Sequence, residues 1–182
     1  EAVQSVIERG TPHRGIQIAF TLGEEIGLVG ASNLDYSRIT ATQGVVLDAE
    51  GPVNQITTGT PDFGSFEIEV IGRAAHAGIE PEKGLSSIRI ASEIILRLPQ
   101  GRLDEDTTFN VGLIEGGSVR NSVPERTQII GEFRSHNQDA LFDLKAQIEQ
   151  VIADVRIEFP RSVIKPTIRV GSGGYSLPED GP

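Results

Sequence analysis

Phe66-Glu67-Ile68-Glu69-Val70 sets apolar and charged side chains in strict alternation, the period of a β-strand with one face on a core and the other in water. Strands of parallel sheets are buried on both faces and read as continuous apolar runs, so this stretch points to an antiparallel sheet. Downstream, residues 81–98 carry Leu85, Ile88, Ala91, Ile94, Ile95 and Leu98 as a helical stripe, closed by Pro99 and Gly101. Residues 107–114 and 127–134 predict two further strands, joined through Gly116-Gly117 and an irregular stretch ending at Pro124. Asn137 caps a second helix with Leu141, Leu144, Ile148, Val151 and Ile152 on one stripe, and residues 163–170 form a last strand, broken by Pro166. The order over 52–172 is β-α-β-β-α-β, a ferredoxin-like arrangement in which two helices cover one face of a four-stranded antiparallel sheet.

Upstream the pattern is different. Residues 1–9 read as the end of an amphipathic helix stopped by Gly10, and 16–22 (IQIAFTL) is a β-branched, nearly continuous apolar run, as in a strand buried on both faces. Gly23, Gly27 and Gly30 punctuate a turn into a short helix near 28–34, and 44–47 (GVVL) predicts a second buried strand. Strand, short helix, strand is α/β grammar, so the expected division is 1–51, 52–172 and 173–182.

The chain has 182 residues, 37% hydrophobic and 23% charged, the profile of a folded globular protein. A formal net charge of -10 leaves no basic stripe to displace counterions and argues against a nucleic-acid partner. With no cysteine, any transition metal must be held by His, Asp and Glu. The apolar stretches are shorter than the ~20 residues of a membrane span, so no membrane partner is expected and the location expected is cytoplasmic. The chain starts at Glu1 and contains no methionine, from which an internal fragment of a longer protein is expected.

Thr21-Leu22-Gly23-Glu24-Glu25-Ile26-Gly27-Leu28-Val29-Gly30-Ala31 puts two adjacent carboxylates directly after a predicted buried strand, where open α/β sheets bind ligands. Adjacent side chains diverge, so one loop can supply a cation ligand and a base; the same pair also reads as solvated charge at a helix N-terminus. Asp48 ends the second predicted strand on the same sheet edge, either as a further cation ligand or as a turn cap. His76 reads alone as a loop-tip residue, and His13 and His136 as surface residues.

These strings, with Asp48-Ala49-Glu50-Gly51, Gly72-Arg73-Ala74-Ala75-His76-Ala77-Gly78, Gly116-Gly117, Asn121, Val123-Pro124 and Glu132-Phe133-Arg134 in the same order, resemble the metallopeptidase family that includes peptidase T, carboxypeptidase G and acetylornithine deacetylase. The form from His76 to Gly84 is most similar to the peptidase T-like branch. The resemblance implies an α/β zinc-peptidase catalytic domain, present in part over 1–51, an inserted lid that forms a homodimer over 52–172, and the start of the returning catalytic segment over 173–182. It implies a pair of zinc ions, with Glu24 as general base, Glu25 as ligand to one metal and Asp48 as ligand to the other. It implies that His76 reaches the partner subunit's active site to stabilise an oxyanion, and that Asn121 and Arg134 hold the substrate. The substrate class implied is a short peptide or an N-acyl amino acid.

The family's His-x-Asp motif, its bridging Asp and its later His have no counterpart in this sequence. Glu25 and Asp48 alone cannot build a tetrahedral site, so the chain by itself is expected to be inactive. Other readings stand beside an exopeptidase of short peptides: a dimerisation module only, a deacylase of N-acyl amino acids or a carboxypeptidase of the same family, and a relative that has lost its metals and serves as a binding protein.

Overall fold

The computed structural model describes residues 1–26, 28–48, 51–52, 55–171 and 173–178, and the chain divides into two units, Glu1–Gln55 and Ile56–Gly181. In the second unit the alternation around Phe66 becomes the long strand β2 (Asp62–Ile71), after the short β1 (Gly59–Thr60). Helix α3 (Ser87–Arg97) follows, capped by the Ser86 hydroxyl, which accepts from the Arg89 amide at 3.3 Å. Then come β3 (Gly101–Arg102), β4 (Thr107–Gly116), β5 (Arg126–Ser135), α4 (Gln138–Glu158), β6 (Val163–Val170) and β7 (Tyr175–Ser176). Asn137 caps α4 as its position predicts, its side chain accepting from the Asp139 amide at 2.9 Å.

The sheet has order β3-β4-β5-β2-β6 with every pairing antiparallel, and both helices pack on one face of it. Phe66, Ile68 and Val70 of β2, Phe109 of β4, and Ile129 and Phe133 of β5 meet Ile90, Ile94, Leu141, Ile148 and Ile152 of the helices in a single core. Phe109 stacks between Phe66 and Phe133, with ring centroids 5.2 and 5.9 Å away. Each fully buried ring or aliphatic chain contributes roughly 1.5–3 kcal/mol. The open face carries Glu67, Glu69, Gln128 and Glu132, tied across strands: Glu69 lies 2.6 Å from Arg126 and 3.2 Å from Lys165. The hydrogen bond from Lys165, reinforced by Arg126, holds the Glu69 carboxyl below its usual range.

Three expectations need correction. The sheet has five strands rather than four, because Gly101, at φ +83, turns the chain after α3 so that β3 lies against Phe109 and Thr108. β6 is continuous through Pro166, since among the described residues it is an edge strand that pairs only with β2, and proline is tolerated where one side of the backbone has no strand to serve. Finally, the runs 16–22 and 44–47 form no strands. In the described residues the first unit holds only α1 (Ala2–Glu8), α2 (Val29–Ser32) and a 3-10 turn (Tyr36–Arg38). Phe20 and Leu47 are 91% and 94% exposed. A strand is not a local structure, and among the described residues these two runs have no ladder partners.

Candidate functional site

The loop after β2 carries His76 and is fixed almost entirely by backbone bonds. The Gly72 amide donates to the Glu125 carbonyl at 2.7 Å, and Arg73 and Leu85 exchange a pair of bonds at 2.9 Å. The Val123 amide donates to the Ala75 carbonyl at 2.9 Å and the Ala77 amide to the Asn121 carbonyl at 3.0 Å, so His76 is bridged to Ser122. Two loops far apart in sequence thus become one platform holding His76 and Asn121 side by side. Gly72 is required for it: a Cβ there would overlap the Leu85 carbonyl oxygen. Gly72→Ala is therefore expected to cost about 1–3 kcal/mol through overpacking, read as a lower urea midpoint; an unchanged midpoint would contradict this close approach.

His76 is exposed, and its Nδ1 accepts a 3.2 Å bond from the Gly78 amide. A neutral ring that accepts at Nδ1 carries its proton on Nε2. The imidazole is thereby set as a donor, the form that stabilises developing negative charge on oxygen. Asn121 is also exposed, and its side chain makes no hydrogen bond among the described residues.

Arg134 stands elsewhere. It pairs in register with Phe63 and Thr108, whereas Arg126 at the other end of β5 pairs with Ile71 beside the His76 loop. Roughly 25 Å of strand separates the two ends. The Arg134 guanidinium grips Glu132 through Nε at 3.0 Å and Nη2 at 3.1 Å. Its end of the sheet is where the chain enters and leaves the unit: β1 pairs with β7, and the Asp62 Oδ1 accepts from the amides of Gly173 at 2.8 Å and Gly174 at 2.7 Å. Sequence reading missed this clamp, for which the only signal was Gly173-Gly174 against a lone Asp at the start of a strand.

In the first unit, Glu24 and Glu25 are exposed in a tight turn closed by the Gly30 amide on the Leu22 carbonyl at 2.8 Å and the Val29 amide on the Gly23 carbonyl at 3.0 Å. Leu28 sits at φ 57, a left-handed conformation costing a non-glycine residue about 1–2 kcal/mol. Asp48 is exposed. Gly27, Ala49 and Glu50 lie outside the described residues. Among the described residues no three His, Asp or Glu side chains converge to hold a metal ion, so Glu25 and Asp48 are at most part of a ligand set. No helix among them is long and apolar enough to cross a membrane.

The peptidase dimerisation domain family matches residues 58–159. The protein YqjE of Bacillus subtilis, uncharacterized, is 39% identical over 179 residues, covering 95% of this chain and 48% of that protein. The crystal structure of aminopeptidase PepT from Bacillus cereus superposes with a TM-score of 0.83 at 36% identity, over 98% of this chain and 48% of that one. A tripeptidase from Staphylococcus aureus superposes with a TM-score of 0.89 at 31% identity, over 99% and 48% respectively. The chain spans about half the length of these relatives.

Proposed function

The chain belongs to the M20 peptidase family through its peptidase dimerisation domain, and from that premise we propose that the whole protein is a zinc-dependent exopeptidase of short peptides, similar to peptidase T, working as a homodimer. The observation that carries this reading is His76, set as an Nε2 donor on a platform that also holds Asn121. The Bacillus cereus aminopeptidase and the Staphylococcus aureus tripeptidase share the fold at over 30% identity. In the whole protein Glu25 and Asp48 would contribute oxygen ligands beside others that this chain does not supply. Zinc held there would supply an acidified water, with a pKa near ~7. Glu24 accepts a proton from the attacking water and returns it to the leaving amine. His76 donates to the oxygen of the tetrahedral intermediate.

The two sheet edges differ in a way that favours one dimer. On β6, Pro166 and Lys165 blunt the edge. On β4, the Gln100 side chain takes the Val111 amide at 2.9 Å, leaving Gly112–Gly116 unpaired on its outer side among the described residues. Two copies joined there about a two-fold axis run antiparallel. That pairing directs His76 and Asn121 of one copy toward the end of its twin's sheet that bears the twin's Arg134. His76 and Asn121 then act in trans and Arg134 within its own chain.

Metal analysis of the full-length dimer should give about two zinc ions per subunit, and hydrolysis of a tripeptide should vanish with a chelator and return with zinc. A zinc-loaded protein that cleaves no short peptide would contradict the proposal.

A further inference from the structure

Ser87 opens α3, one position after the capping Ser86, and is fully buried. Alanine is the better helix former, and a buried hydroxyl destabilises unless it is bonded. The Ser87 hydroxyl is bonded twice: it donates to the Pro124 carbonyl at 3.1 Å and lies 2.8 Å from the Thr127 hydroxyl, itself buried on β5. With its own proton on Pro124, Ser87 receives the second bond from Thr127.

The Pro124 carbonyl also accepts from the Ser87 amide at 2.9 Å, so one residue fills both of that oxygen's lone-pair positions. The free amide at the start of a helix needs only the backbone bond; the hydroxyl adds direction. The proline ring already fixes φ at Pro124, and the direction of its carbonyl follows the one soft dihedral left, ψ, which Ser87 locks. Pro124 is flanked by the two residues that hold the histidine loop: the Val123 amide donates to Ala75, and the Glu125 carbonyl accepts from Gly72. Ser87 in turn belongs to a helix anchored in the core through Ile90, Ala91 and Ile94. The His76 platform is thereby fastened to the packed interior.

We propose that Ser87 is a positioning residue for peptide hydrolysis, fixing through Pro124 and Val123 the backbone from Ala75 to Ala77 and so the aim of the His76 Nε2 proton. This rests on the oxyanion role given to His76 above. It moves the control of that aim from the exposed loop to a buried pair of hydroxyls.

The test uses the full-length zinc-loaded dimer and a tripeptide. Ser87→Ala should lower kcat about 10-fold with KM little changed, since displacing a catalytic group by about 1 Å costs up to ~10²-fold and the Ser87 amide bond persists. Thr127→Val leaves the Ser87 to Pro124 bond intact, so its kcat should stay within about 2-fold of wild type although its urea midpoint falls. Ser87→Ala with Thr127→Val orphans neither hydroxyl; its midpoint should recover while kcat stays about 10-fold low, which separates positioning from stability. In a His76→Ala background, adding Ser87→Ala should change kcat by less than about 2-fold. A wild-type kcat in Ser87→Ala would overturn the role of Ser87 while leaving His76 in place, as would a loss of equal size with and without His76. Equal kcat in wild type and His76→Ala, or a wild type that cleaves no tripeptide, would remove the reading beneath the proposal and the proposal with it.

Discussion

Glu24→Gln in the full-length protein is expected to lower kcat by roughly 10²- to 10⁴-fold with KM little changed, the range lost with a general base. The substitution is isosteric, and the turn that carries Glu24 is closed by backbone bonds from Val29 and Gly30. Glu24 is exposed, so no buried partner is orphaned and the fold should stand. Zinc content should also stand, because the ligand role falls on Glu25. A kcat that does not move removes Glu24 from the mechanism.

His76→Ala should cost about 10²- to 10³-fold in kcat, the loss typical of one oxyanion donor. Among the described residues, the side-chain bond broken is the one that Nδ1 accepts from Gly78. At an exposed position water replaces it, and the bonds through Ala75, Ala77 and Asn121 keep the platform. His76→Asn keeps a donor and should recover part of the loss, which a purely architectural role would not reproduce. Equal kcat in wild type and His76→Ala would leave the platform without a catalytic task.

The fold of the second unit was largely legible because its information is local. Alternation around Phe66 and the stripe from Leu141 to Ile152 each name an element and its buried face, and the structure buries those residues. The extra strand β3 was not legible, since two residues carry no period and only Gly101 marks the turn. The first unit illustrates the converse. Residues 16–22 and 44–47 have the composition of buried strands, yet composition cannot supply a hydrogen-bonding neighbour, and the described residues offer none. For the candidate site, the family resemblance named His76, Asn121 and Arg134 without saying how they lie in the fold. Only strand register reveals that the stretch between Asn121 and Arg134 runs the length of β5.

The central claim is that the sheet domain delivers His76 to the partner subunit's reaction centre. Subunit exchange between full-length His76→Ala and full-length Glu24→Gln tests it directly, with assay on a tripeptide after heterodimers are demonstrated. In a heterodimer one centre combines an intact Glu24 with an intact His76 from the other chain. Two nearly inactive proteins should therefore regain about a quarter of wild-type activity at equal mixing, because half the dimers are mixed and each has one good centre. Heterodimers that form and stay inactive would contradict the account and confine His76 to its own subunit or to no role at all.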